Sequence, residues 1–543
     1  MAVESRANRR IGASKSRNGC KTCNTGRKCE YEGPSSPLAP STPSSLSPAQ
    51  ALPLSPNSGW RERRAFEYYF QHAAKCLAGG MAIDFWTSVV PQICRTEPSV
   101  WDAVIAISSL FEHPDQCMDF TLLRSRGGNS QYLNKSQQEA LVWYSRSISS
   151  VHSQIKRRGA DPYIALISCV MFICIETIQG RMEEALQLYR QGTSLIMDLR
   201  AQVRLGIVCA SKTMLLERMI IPLFLRLGTV SLTISGTQPS ELFTATETRL
   251  NVPFESIAAA RSAIAALGKE IILFDREARC HLRAVGGESF VAPEMLEKKN
   301  ILKSHLDDWY QAYSDLCNPS QDASLSQMST EPVLLTHHAA AKVHLAGCLT
   351  VKETVYDAHL ADFAIIVEQA NLVLGISAGP DGSQPPFTFE MGVGIPLFKT
   401  AMVCRDQNLR HRALELLRQA PPMQGFFKCT PVAMLAESIM KIEESNAQQL
   451  LGLYGNDCSS TNTPSSKDPQ NTESHSTLIP EEARISFCGV FRPADGLPPN
   501  VSEENVSQWG LGPDQLFLEF SRNYFDTPSN SWQQVRNIVP LNS

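Results

Sequence analysis

A chain of 543 residues that is 43% hydrophobic and 19% charged has the material for a sizeable buried core, which excludes a wholly disordered protein. Its net charge of −4 is unevenly spread: residues 1–33 hold eight basic against three acidic residues, and the rest of the chain holds 42 against 51. A short basic arm on an acidic body suits a nucleic-acid-binding tail or a nuclear-import signal, although a solvated terminus would carry the same charges. Met1–Gly19 is polar and basic, without the apolar core of a secretory signal. The longest apolar run, Tyr163–Ile175, falls short of the about 20 residues that span a bilayer. It reads as a buried helix, and no membrane association is expected. The 16 cysteines are scattered, many of them in apolar stretches, as expected of free thiols in a reducing compartment. An intracellular protein is expected.

In chain order, a basic arm (1–33) is followed by a linker (34–59) that holds seven prolines among serines and should be extended. Residues 60–455 read as helix after helix. Phe66, Tyr69, Phe70, Ala73, Ala74 and Leu77 form one stripe, stopped by Gly79-Gly80. Leu141, Tyr144, Ile148, Val151 and Ile155 predict a second amphipathic helix. Tyr163–Ile178 ends at Gly180, and Met182–Leu199 places Ala185, Leu186, Tyr189, Ile196 and Leu199 on one side. Phe363–Leu374 and His411–Leu417 repeat the signal, with no fixed period. A polar, turn-rich segment (456–480) reads as a second flexible linker before the tail (481–543), where Ala483–Arg492 suits a short strand. The expected fold is all-α: an irregular multi-helix body behind a disordered arm.

The most informative stretch is Lys15–Pro34, KSRNGCKTCNTGRKCEYEGP. KSRNGCKTC resembles the opening of the fungal six-cysteine binuclear zinc cluster, and TGRKCEYEGP resembles its close. The intervening segment, with three further cysteines, is absent here, so the join after Cys23 reads as a deletion. The body carries the same resemblance. Phe66–Gly79, Asp84-Phe85-Trp86, Glu97–Leu110, Ala165–Gly180 and Phe387–Phe427 are similar in order and separation to segments of the fungal-specific regulatory domain. Read without the family, these residues are helix core.

The resemblance implies a nuclear fungal transcription factor that regulates RNA polymerase II genes through zinc-cluster DNA binding, with a metabolic or secondary-metabolite gene cluster as one target class. Its zinc ligands would be Cys20, Cys23 and Cys29, three of the six the family uses to hold two ions. Its DNA-contacting residues would be Lys15, Arg17, Lys21, Arg27 and Lys28. Double-stranded DNA with guanine-rich half-sites, and transcription machinery or co-regulators, are the implied partners; a homodimer is one assembly the resemblance allows. Small metal modules fold when metal binds, so the missing ligands predict an arm without fixed structure. The alternative is a helical regulator that lost its DNA reader and works through protein partners.

Enzymatic signals are weak. Gly375-Ile376-Ser377-Ala378-Gly379 matches the pattern of a nucleophile elbow, but a predicted helix precedes it where a strand is required. His337 and His344 share a helix face about 10 Å apart, too far to hold one ion together, and His338 reads as an ordinary helix residue. No enzyme is expected.

Overall fold

The computed structural model describes residues 59–79, 83–114, 134–157, 159, 161–235, 239–245, 250, 252–285, 291–317, 325–456, 479–498, 501, 504, 512, 514–527 and 531–541. The zinc and DNA residues expected in the arm, nearly all of the proline-rich linker and most of residues 456–480 lie outside them. The described chain is dominated by helices, as the periodicity predicts.

Trp60–Tyr68 and Ala74–Ala78, joined through π-helical Tyr69–Ala73, run as helix α1. Gly79 ends it with φ of 50°, a left-handed conformation glycine adopts without strain. Phe85–Val89 and Val90–Ile93 form α2, Pro98–Glu112 α3, Lys135–Lys156 α4, Pro162–Ile178 α5 and Met182–Arg204 α6. Helix α4 starts with a capping box, in which Asn134 Oδ1 accepts from the Gln137 amide at 2.8 Å and Gln137 Oε1 accepts from the Asn134 amide at 2.9 Å. Helix α3 lies between α4 and α5, and α5 packs on α6.

Helix α4 buries the predicted stripe only in part, with Tyr144 inside and Leu141 and Val151 half-buried. Ile148 is 39% and Ile155 52% exposed, while Gln137, Ala140, Tyr144 and Ser147 face inward. Small residues win because α3 and α4 approach closely: Ser147 Oγ donates to the Ser99 carbonyl at 2.6 Å. Tyr144 Oη donates to Glu176 of α5 at 2.7 Å, so the pattern of apolar side chains gave way to polar pairing between helices.

Ala210–Leu215, π-helical Leu216–Ile220 and Ile221–Ser235 form α7; Glu241–Ala245 is α8, Ile257–Val285 α9, Pro293–Cys317 α10 and Leu325–Ala346 α11. Helices α9, α10 and α11 share a core that includes Leu267, Phe274, Leu306, Trp309 and Leu334. His338 belongs to it, stacked on Trp309 with centroids 5.3 Å apart and bonded to the Leu306 carbonyl at 3.1 Å.

A 3-10 segment, Glu353–His359, leads into α12 (Leu360–Ser377), followed by α13 (Gly394–Val403), α14 (Gln407–Gln419) and α15 (Cys429–Asn456). Glu353–Ser377 is long and apolar enough to cross a membrane by length and composition. Helix α12 instead packs against α11, with buried Asp362 paired to Lys342 at 2.8 Å.

Three short strands, β1 (Phe387–Thr388), β2 (Met423–Gln424) and β3 (Phe427–Lys428), stitch the loops between these helices, β1 parallel and β3 antiparallel to β2. Nearby, buried Glu390 receives Arg226 of α7 on both carboxylate oxygens, at 2.5 and 2.8 Å.

The C-terminal segment adds an antiparallel sheet of β4 (Ser486–Phe491), β5 (Phe517–Asp526) and β6 (Ser531–Pro540) in that order. Register runs from Phe517↔Pro540 to Asp526↔Ser531, and a bulge falls at Phe487/Gly489. Buried charges tie this sheet to the helices. Glu481 accepts from the Glu353 and Thr354 amides at 2.9 and 2.8 Å and from Asn523 at 2.6 Å. Arg484 grips Asp357 with two bonds of 2.8 Å. Glu443 of α15 takes Arg405, Arg410 and the Ile485 amide.

Candidate functional site

A cavity of about 1140 Å³ opens between α7, α9, α11, α13 and β4. Small residues on facing helices hollow it out: Ala265 and Gly268 on α9, Ala340 and Ala341 on α11. At Gly268 an added Cβ would meet nothing within 4 Å. Ile271, Ile272, Phe398, Val490 and Phe491 supply apolar wall. Strand β4 closes one side with Phe487 through Phe491, held there by the Glu353–Glu481–Arg484 contacts described above.

Charged groups interrupt this apolar lining. Arg276, Arg279, Lys399 and Arg492 stand against Asp275, Glu277 and Asp495, with His337 and His344 beside them. Asp275 is bound by Arg279 at 2.8 Å and lies 3.6 Å from His344 Nε2. Burial alone would raise its pKa, but His344 and Arg279 hold it well below the usual carboxylate value. Lys399 Nζ donates to Tyr356 Oη at 3.1 Å. Burial opposes the charge on Lys399, yet Tyr356 and Glu353 outweigh it, and its pKa is raised. Tyr356 is seated by Gly347, where a Cβ would come within 2.1 Å of the phenol oxygen. Burial lowers His337 to about 4 against a backbone hydrogen bond at Met391, and its Nε2 is shut from solvent with no partner.

Asp275, His344 and Cys348 bring three donor atoms within 4.8 Å of one another. In kind they would suit a metal, but the positive charge beside Asp275 is already supplied by Arg279. The Cys348 thiol donates to the His344 carbonyl at 3.3 Å, and burial pushes its pKa far up, keeping it protonated. These groups form a hydrogen-bonded ion-pair cluster on the cavity wall.

His337 and His344, placed on one helix face by their spacing, both reach the cavity. Lys399 and Asp275 escaped sequence reasoning. Lys399 carried a signal, a single charge inside the apolar run Ile395–Val403, whereas Asp275 opens the charged run Asp275-Arg276-Glu277 after Ile271–Phe274 and looks like a solvated face. Ser377 closes α12, and its hydroxyl donates to Gln384 Oε1 at 2.7 Å. Helix precedes it and a turn at Gly379–Gly382 follows, so the strand-and-helix frame of an elbow is missing there. Lys15, Arg17, Lys21, Arg27, Lys28, Cys20, Cys23 and Cys29 lie outside the described residues.

The profile of the fungal specific transcription factor domain matches residues 64–426. That span includes the cavity's helices and most of the helical body, and ends before the last helix, α15, and β4. No curated protein matches the chain, and no solved structure does. Transcription factor domains of this kind are not an enzyme family. With two thirds of its length matched to that domain, the chain belongs to the fungal-specific transcription factor domain family and is a fungal transcription regulator.

Proposed function

We propose that the protein works in the nucleus on genes transcribed by RNA polymerase II, with the helical body as its regulatory and interaction domain. The observation that carries this reading is the domain match over residues 64–426, behind an N-terminal KSRNGCKTC that resembles the opening of a zinc-cluster DNA reader. Control of a metabolic or secondary-metabolite gene cluster is the target class the family resemblance favours.

The reader does not fit its usual metal. Cys20, Cys23 and Cys29 supply three thiolates, where two tetrahedral zinc ions sharing sulfurs need six and a single structural ion needs four. DNA contact is therefore assigned to charge: Lys15, Arg17, Lys21, Arg27 and Lys28 neutralise phosphates with a dissociation constant of roughly 10⁻⁴–10⁻⁶ M and strong salt dependence. Base-specific reading needs a rigid presentation of Lys and Arg, and each good bidentate contact is worth about 1–3 kcal/mol of discrimination. The same ligand deficit favours a second reading, in which the protein regulates through protein partners without touching DNA.

Fusing the full chain to an unrelated DNA-binding module tests the regulatory claim directly. Output of a reporter carrying that module's site should change severalfold relative to the module alone. An unchanged reporter, with the fusion folded and nuclear, would remove the regulatory assignment from the body.

A further inference from the structure

We infer that the cavity between α9, α11, α13 and β4 is a binding site for a small amphipathic organic anion, its acid group at Lys399 and its apolar body along α9. This goes beyond the regulatory reading, and holds whichever way the DNA question is answered.

Two independent observations converge. The first is space: about 1140 Å³ is more than a drug-sized ligand needs. Gly268, Ala340 and Ala341 keep it open where larger side chains would have filled it. The second is charge. Lys399 sits half-buried on the wall with its ammonium on Tyr356 Oη at 3.1 Å, and among the described residues it makes no salt bridge. Glu353, the carboxylate that favours its charge from further off, is itself engaged by Arg405 at 3.2 Å and by Ser486, so the ammonium has no carboxylate of its own. A ligand carboxylate or sulfonate at that wall would supply the missing charge. Ile271, Ile272 and Phe487 leave apolar surface for the remainder of the molecule.

The site is closed by β4, which lies beyond the matched domain. An occupant would touch both the helices and the C-terminal sheet, and so would strengthen the contact between them.

Two probes of nearly equal shape test the assignment on the full chain. 8-Anilinonaphthalene-1-sulfonate carries an aromatic body and one sulfonate; N-phenyl-1-naphthylamine is the same body without it. Fluorescence titration should show one sulfonate probe per chain, held at least about tenfold more tightly than the neutral probe, since a charge-assisted hydrogen bond is worth more than that ratio. Lys399→Met should erase the preference and Lys399→Arg should keep it. Gly268→Leu, whose Cβ meets no atom within 4 Å, should project into the cavity and weaken both probes while leaving thermal stability intact. Equal binding of the two probes, no binding of either, or sulfonate binding indifferent to Gly268→Leu would each overturn the inference. If Lys399→Met fails to fold, the probe preference of the unmodified chain and its loss in Gly268→Leu decide the matter alone.

Discussion

Replacing Glu443 by alanine should loosen the junction between the helices and the C-terminal sheet more than any surface change. Its carboxylate is fully buried and serves three donors: Arg405 Nη2 at 2.6 Å, Arg410 Nη2 at 2.6 Å and the Ile485 amide at 2.7 Å. The Arg410 contact is an ion pair at that distance rather than an aligned hydrogen bond, so its attraction is chiefly Coulombic. Removing one partner of a buried pair costs about 3–5 kcal/mol, and an orphaned buried amide adds roughly 1–3 kcal/mol. Arg405 keeps Glu353 at 3.2 Å and the Val403 carbonyl at 2.6 Å, and Arg410 keeps the Ala401 carbonyl at 2.7 Å. These remaining partners hold the expected total to about 4 kcal/mol, a large part of a typical folding free energy of roughly 5–15 kcal/mol. Urea unfolding of the full chain followed by circular dichroism measures it, with Glu444→Ala, one residue along the same helix, as the control. Burial raises the Glu443 pKa, but Arg405 and Arg410 outweigh it and the net shift is downward from 4.5. Its contribution is therefore fully present above about pH 4.5 and lost as pH falls through the folded value. Should Glu443→Ala unfold no earlier than Glu444→Ala, the network is not what joins the sheet to the body.

Further outcomes follow from single sites. His337 titrates near 4 in the fold against 6.5 unfolded, so the unfolded chain takes up its proton first as pH falls. The stability this group contributes is complete above about pH 6.5 and lost towards pH 4, by up to about 3 kcal/mol; His337→Phe should flatten that part of the curve, and an unchanged slope would contradict its burial as a neutral ring. Phe172, 8% exposed and packed edge-on against Tyr144 at 5.3 Å, should not tolerate aspartate: a loss of at least about 4 kcal/mol, read as aggregation or a lowered melting temperature, is expected. Gly192→Ala would set a Cβ 2.5 Å from the Phe224 ring and should cost about 1–3 kcal/mol by overcrowding where α6 meets α7; a neutral result would show that the two helices separate readily.

Helix existence was legible because burial imposes a period on long apolar stripes. Phe66, Tyr69, Ala73 and Leu77, and Ala185, Leu186, Tyr189, Ile196 and Leu199, face the core as their spacing predicts. Asp406, inside the Phe387–Phe427 segment, caps α14 by accepting from the Leu409 amide at 2.9 Å, a local interaction of the kind sequence can carry. The inward face of α4 was legible at Tyr144 but not at Ser147, which is buried by its bond to Ser99 of α3. The C-terminal sheet was only partly legible. A strand near Ala483–Arg492 could be read from its residues, but β5 and β6 pair through a register that leaves no periodic mark, and the sheet is fixed by Glu353, Asp357 and Glu443 from distant parts of the chain. The cavity was the least legible feature, because a void is defined by side chains that are absent. Gly268, Ala340 and Ala341 look unremarkable in sequence until facing helices set them opposite one another.

The central claim, a transcription regulator whose DNA reader is incomplete, is tested most directly by competition binding of the full chain. A duplex with guanine-rich half-sites competes against a random duplex across a salt series, with zinc present. Five arm cations on phosphates predict a slope of about −4.5 in log affinity against log salt, and a specific-to-random ratio near one. A ratio of a hundred or more, with zinc bound to the chain, would contradict the account and require ligands beyond Cys20, Cys23 and Cys29. No binding to either duplex would assign regulation to protein partners alone.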